Sequence, residues 1–167
     1  MSAEKTPAET RRGVENQVSF KHQSEFSSLK INGERLWSRL GELGEIGSYM
    51  DERTAMQGVR RLALTDSEIE GRNLVVKWML DQNLTVTIDP IGNVYARRKG
   101  RDETLAPVMM GSHIDSVGTA GRFDGCLGVI GGLEVLATLD DNNVTTDRPL
   151  VVAFFTDEEG VRFGTDM

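Results

Sequence analysis

Leu150-Val-Val-Ala-Phe-Phe155 is an unbroken apolar run, and Pro107-Val-Met-Met110 is a shorter one of the same kind. Runs without polar alternation are read as strands covered on both faces. Between them, residues from about 125 to 139 form a glycine-rich segment of helical character. Strand, helix and strand in that order give an α/β fold class, with a right-handed crossover if the two strands are parallel. Gly128, Gly131 and Gly132 stand inside the helix, each costing about 1 kcal/mol relative to Ala. Close packing of helix on sheet accounts for them. The series Gly125-x-x-Gly128-x-x-Gly131 has the wrong spacing for a dinucleotide-binding loop and does not directly follow a strand.

Toward the N-terminus, Leu84-Thr-Val-Thr-Ile88 and Asn93-Val-Tyr-Ala-Arg97 flank Asp89-Pro-Ile-Gly92, which predicts an antiparallel strand pair. Thr65-Asp-Ser-Glu68 has the form of a capping box and opens a helix over about 66–82. Its buried stripe is expected at Ile69, Val76, Met79 and Leu80, interrupted by Arg72 and Asn73. Leu36, Leu40 and Leu43 make one face of an earlier helix that stops near Gly44 or Gly47. Residues 47–58 read as a loop. Residues 1–29 lack core-forming periodicity and read as a flexible polar tail.

The whole chain has 167 residues, 38% of them hydrophobic and 27% charged, with a formal charge of −7. Its pI is near 4.9. Its basic clusters, Arg11-Arg12, Arg60-Arg61 and Arg97-Arg98-Lys99, form no stripe suited to phosphates, which argues against a nucleic-acid partner. The apolar runs fall short of the roughly 18 residues of a membrane helix, so no membrane span is expected. A single cysteine, Cys126, allows no intrachain disulfide. The opening Met-Ser-Ala-Glu-Lys-Thr-Pro lacks a secretory apolar stretch, so a cytoplasmic location is expected.

Three segments carry side chains suited to chemistry, each where a strand runs out or in the following turn, the usual ligand edge of an α/β sheet. In Gly111-Ser-His-Ile-Asp-Ser-Val117, His113 and Asp115 share a face of extended backbone, so Asp115 can orient the imidazole while its other nitrogen meets a metal. A hydrogen-bonded surface turn is the plainer alternative. In Gly121-Arg-Phe-Asp-Gly125, Asp124 is either a bridging carboxylate or a helix N-cap. Thr156-Asp-Glu-Glu-Gly160 sets adjacent carboxylates against one another, a cost that a cation or solvent must relieve. One glutamate there can ligate while its neighbour holds a water, and spacing does not say which. Taken together, His, Asp and Glu are the ligand types of zinc or manganese in a hydrolytic site. Such a metal pair shares a water, lowers its pKa and polarises a carbonyl, while a free carboxylate moves the proton to the leaving nitrogen.

These segments, with Ala120-Gly-Arg-Phe-Asp-Gly-Cys-Leu-Gly-Val129 and Phe155-Thr-Asp-Glu-Glu-Gly-Val-Arg-Phe-Gly164, resemble the amidase branch of the dinuclear zinc metallopeptidase superfamily. That branch contains N-carbamoyl-L-amino-acid hydrolases, allantoate amidohydrolases and β-ureidopropionases. Ile31-Asn-Gly-Glu-Arg-Leu36, Arg61-Leu-Ala-Leu-Thr65 and Asp89-Pro-Ile-Gly-Asn93 extend the similarity to residues 31–167. It implies the N-terminal part of a phosphorylase/hydrolase-like three-layer catalytic domain with a mixed sheet over residues 30–167, without the lid and dimerisation domain. It also implies two divalent ions, zinc first with manganese, cobalt or nickel as alternatives, held by His113, bridging Asp124 and Glu159. Glu158 would be the general base, and Asp115 would orient His113.

The implied activity is hydrolysis of a carbon–nitrogen bond in a small ureido substrate, by an enzyme that is homodimeric when complete. Branch members are much longer and draw further histidine ligands from later segments. After Glu159 this chain has no histidine, and His22, in the polar tail, reads as solvated or tag-like. The 167-residue chain is therefore expected to carry half a metal site, to bind metal weakly and to turn over little. Two further readings are a non-catalytic remnant or partner-binding fragment, and a peptidase or aminoacylase of the same superfamily.

Overall fold

The computed structural model describes residues 27–163, so most of the expected tail, including His22, lies outside the described residues. Among the described residues are three helices and six strands. Helix α1, Gly33–Glu45, begins where Asn32 accepts the Arg35 N–H on its side chain at 3.0 Å, and it buries Leu40 and Leu43 as the sequence predicts. No described helix is long and apolar enough to cross a membrane.

Residues 47–58 are not the loop their composition predicts. Ser48–Asp51 (β1) and Met56–Val59 (β2) pair antiparallel. Asp51 closes the hairpin by accepting the Arg53 and Thr54 N–H groups at 2.8 and 3.2 Å. Met50 and Met56 are exposed, so the ribbon carries none of the in–out alternation that announces a half-buried strand.

Helix α2, Asp66–Asp81, corrects the expected stripe. Ile69 and Leu80 face solvent, whereas Glu68, Gly71, Val75, Trp78 and Met79 are buried. The buried positions still recur at helical spacing, but a charged residue and a glycine occupy two of them. Glu68 is tolerated there because Arg72 pairs with it at 3.2 Å, and Gly71 because the Arg61 side chain fills the space a Cβ would need. The capping box is also modified. Thr65 Oγ1 takes the Glu68 N–H at the long distance of 3.5 Å, while Glu68 reaches back to the N–H of Leu64.

Strands β3 (Thr85–Ile88), β4 (Val94–Arg98), β5 (Val108–His113) and β6 (Leu150–Phe155) form a mixed sheet in the order β3-β4-β6-β5. β3 with β4 and β4 with β6 are antiparallel, and β5 with β6 is parallel. Helix α3, Cys126–Asp141, joins the parallel pair. β5 runs three residues past the apolar stretch that reveals it, because its ladder with β6 continues to His113↔Phe155.

Val86, Ala96, Val152 and Met110 lie in one row across the sheet and join a single apolar cluster with residues of all three helices. Burial of side chains such as Leu133 and Phe154 is worth roughly 1.5–3 kcal/mol apiece. Two of the helix glycines serve close packing. A Cβ on Gly132 would lie 3.2 Å from Met110 and Val152, and one on Gly128 would lie 2.8 Å from Ser112, whereas Gly131 has nothing within 4 Å.

Candidate metal centre

β5 delivers His113 to the sheet edge, where the imidazole is buried. Its Nδ1 lies 3.0 Å from the main-chain carbonyl of Asp115. A carbonyl only accepts, so the neutral ring carries its proton on Nδ1 and presents the lone pair of Nε2. That nitrogen is 3.3 Å from Glu158 Oε2. Two acceptors at this distance require a proton or a cation between or beside them.

The carbonyl of Asp115, and not the side chain that the shared strand face predicts, meets the ring, since the carboxylate stands 3.7 Å from Nδ1. The carboxylate has a different engagement. It is buried and lies beside the N–H groups of Glu158 and Glu159, at 3.4 and 3.3 Å. One short segment thus fixes both the imidazole and the two glutamates.

Asp124 does not cap α3. The cap position belongs to Gly125, no side chain bonds there, and the Asp124 main-chain oxygen takes the Cys126 N–H at 2.6 Å. Its exposed carboxylate is thereby left for other work. Gly125 has φ +62, a conformation that favours glycine, and a Cβ on it would sit 2.5 Å from His113 Cε1 and Nε2. Any side chain there would collide with the imidazole.

Thr156 and Asp157 are buried, so residues 156–160 are not a solvated acidic loop. Asp157 at φ +58 turns the chain, and the turn brings Glu159 to the site. One ligand atom each from His113, Asp124 and Glu159 lies within 4.8 Å of the others. Burial raises the Glu159 carboxyl above its ordinary range, with Asp124, Glu158 and Asp115 pushing the same way and His113 opposing. A divalent cation relieves that crowding, and one imidazole with two carboxylates is a donor set that fits zinc or manganese.

Two arginines that support the site give no sign of it in the sequence. Arg61 is buried, donating to the carbonyls of Ile114, Leu43 and Ile46 at 2.7–2.9 Å and to Cys126 Sγ at 3.1 Å. It ties the His113 segment to the start of α3. Arg122 ties the Asp124 turn to Gly41 O, Glu45 and Gln57. Each reads as surface charge in a linear sequence, because guanidinium burial depends on carbonyls contributed from distant positions.

The chain matches Peptidase family M28 over residues 93–166. It is 44% identical over 133 residues to an N-carbamoyl-L-amino acid amidohydrolase of Geobacillus stearothermophilus, an alignment covering 80% of this chain and 31% of that protein. It is 36% identical over 130 residues to allantoate deiminase 2 of Glycine max, covering 77% of this chain and 26% of the relative. A crystal structure of a hydantoinase/carbamoylase family amidase from Burkholderia ambifaria superposes with a TM-score of 0.76 at 47% identity, over 83% of this chain and 33% of that one. The chain thus spans about a third of the length of the curated relatives it matches. The family match and the His113, Asp124 and Glu159 group together point to metal use.

Proposed function

Because the chain belongs to the amidase branch of the metallopeptidase superfamily, we propose that the whole protein is a metal-dependent amidohydrolase. Its bond is the ureido or carbamoyl carbon–nitrogen bond of N-carbamoyl amino acids or allantoate-like substrates. The observation that carries this is the meeting of His113, Asp124 and Glu159, with Glu158 beside the imidazole, in a chain so similar to an N-carbamoyl-L-amino acid amidohydrolase. His113 and Glu159 would each hold one of two divalent ions, zinc before manganese, cobalt or nickel, and Asp124 would bridge them. Such ions, when bound, polarise a carbonyl and make water more acidic.

Glu158 Oε2 takes the proton of the attacking water and returns it to the departing nitrogen. Asp115 holds the glutamate turn and the imidazole in register while that happens, and Gly125 keeps the approach to Nε2 clear. The partners are a small ureido substrate and, for the complete enzyme, a second copy of itself in the cytoplasm. Among the described residues the site offers one imidazole and two carboxylates. The 167-residue chain alone is therefore expected to bind metal weakly and to turn over little.

The test is a panel of N-carbamoyl amino acids, allantoate, dipeptides and N-acyl amino acids, assayed on the whole protein before and after chelation. Ammonia release from the ureido compounds, lost with chelator and restored by zinc or manganese, supports the reading. Cleavage confined to dipeptides or N-acyl amino acids overturns it in favour of a peptidase or aminoacylase.

A further inference from the structure

We propose that Asn93 is a positioning residue for the metal-binding turn, acting through Thr156; this rests on the reading of His113, Asp124 and Glu159 as ligands. The ladder between β4 and β6 ends at Val94↔Phe154. Beyond it the Asn93 side chain continues the work of the backbone, its Oδ1 accepting the Thr156 N–H at 2.9 Å. Thr156 is the last residue before the left-handed Asp157, and Glu158 and Glu159 follow directly. The place where β6 stops and the turn begins is therefore set by one amide.

That amide is itself held. Asp89 Oδ2 accepts from Asn93 Nδ2 at 3.0 Å and from the Tyr95 hydroxyl at 3.2 Å. Its Oδ1 accepts the N–H groups of Ile91, Gly92 and Asn93 at 2.9–3.1 Å. With Nδ2 committed to a carboxylate, the Asn93 amide can present only its oxygen to Thr156. Arg72 grips the same residue from the other side, donating to Thr156 Oγ1 at 3.2 Å and to Gly92 O. Asp115 fixes the far end of the turn through the two glutamate N–H groups. The two carboxylates that flank His113 thus sit on a segment pinned at both ends, and Asn93 supplies the pin at the base. Partners bonded directly to a ligand typically control metal affinity by 10–100-fold, and Asn93 acts one step further out, through the backbone of Thr156.

The experiment measures the zinc(II) dissociation constant by competition with a chromophoric chelator, together with the thermal melt of the metal-free protein. Asn93→Ala is expected to weaken zinc binding about tenfold, the low end of the range for partners bonded directly to a ligand, while the metal-free protein keeps its fold by circular dichroism. The single change Asn93→Asp sets two carboxylates face to face and should also weaken binding. The exchange Asp89→Asn with Asn93→Asp rebuilds the contact with its polarity reversed and should recover most of the affinity.

Zinc affinity within about twofold of the parent in Asn93→Ala overturns the proposal, because a purely structural residue changes the melt and not the affinity of the folded protein. If Asn93→Ala does not fold, failure of the exchange to recover affinity over Asn93→Asp overturns it instead. His113→Ala separates the two levels. Should it bind zinc as tightly as the parent, the metal site itself is misassigned and the role of Asn93 falls with it.

Discussion

The buried carboxylate of Asp115 takes the backbone N–H of Glu159 at 3.3 Å, while the carbonyl of the same residue faces the His113 ring. The ring at the end of β5 and the glutamate turn after β6 are thereby coupled through one residue. Asp115→Ala would leave the Glu158 and Glu159 N–H groups without their acceptor, at about 1–3 kcal/mol for a buried donor. The expected outcome is a lower urea midpoint together with weaker zinc binding, read by chemical denaturation and chelator competition. Unchanged zinc affinity in the folded variant would remove Asp115 from the site.

Glu158 is nearly half exposed and lies beside Nε2 of the ring, which leaves its carboxylate open to water, as the proposed base role requires. Glu158→Gln is expected to abolish ammonia release while leaving metal content nearly unchanged. Elemental analysis and turnover on the same sample decide it, and normal turnover would sink the base assignment.

Arg61 is 1% exposed and its guanidinium donates to three carbonyls and a thiol. Arg61→Met strands the carbonyls of Ile114, Leu43 and Ile46, and a loss of about 3 kcal/mol or more in unfolding free energy is expected. Arg61→Lys should recover only part of this, since a point charge cannot reach a planar fork of acceptors. Urea unfolding of both variants checks the ranking.

Glu134 gives the fold a pH dependence of known sign. Burial alone would raise its carboxyl, but donors on Arg35, the Asn32 N–H and Thr138 outweigh it and hold the pKa below the ordinary glutamate range. The unfolded chain therefore binds the proton first, so this stabilisation is present above about pH 4.3 and is lost as pH falls through the folded value. Glu134→Gln should cost about 3 kcal/mol near pH 7, the lower end for a broken buried pair because Arg35 is partly exposed. The gap from the parent should narrow below pH 4, as urea unfolding at the two pH values would show.

Much of this was legible in the linear sequence. The runs 107–110 and 150–155 marked β5 and β6, and the interior glycines of α3 announced a helix pressed onto the sheet. His113 and Glu159 stand out as candidates because they lie at a strand end or in the turn after it, and Asp124 because it precedes a glycine-rich helix; the fold brings one ligand atom of each within 4.8 Å of the others. The β1–β2 hairpin was hidden, since a ribbon with both methionines in solvent has no periodicity to detect. The buried face of α2 departs from its apolar pattern because Glu68 and Gly71 are buried by partners, Arg72 and Arg61, that no helical pattern can reveal.

Local chemistry therefore determined which elements form and which side chains reach the sheet edge: burial of apolar runs and the turn preferences of Gly, Asn and Asp act over a few residues. Only the tertiary structure decided that Asp115 holds the glutamates by its carboxylate and the imidazole by its carbonyl. It also decided that Asp124 leaves the helix cap to Gly125, and that Arg61 and Asn93 anchor the site from afar. The bonds of Arg61 to Ile114, of Asn93 to Thr156 and of Asp115 to Glu158 and Glu159 join positions 43 to 63 apart, and hydrogen bonds of that reach exist only once the sheet has closed around them.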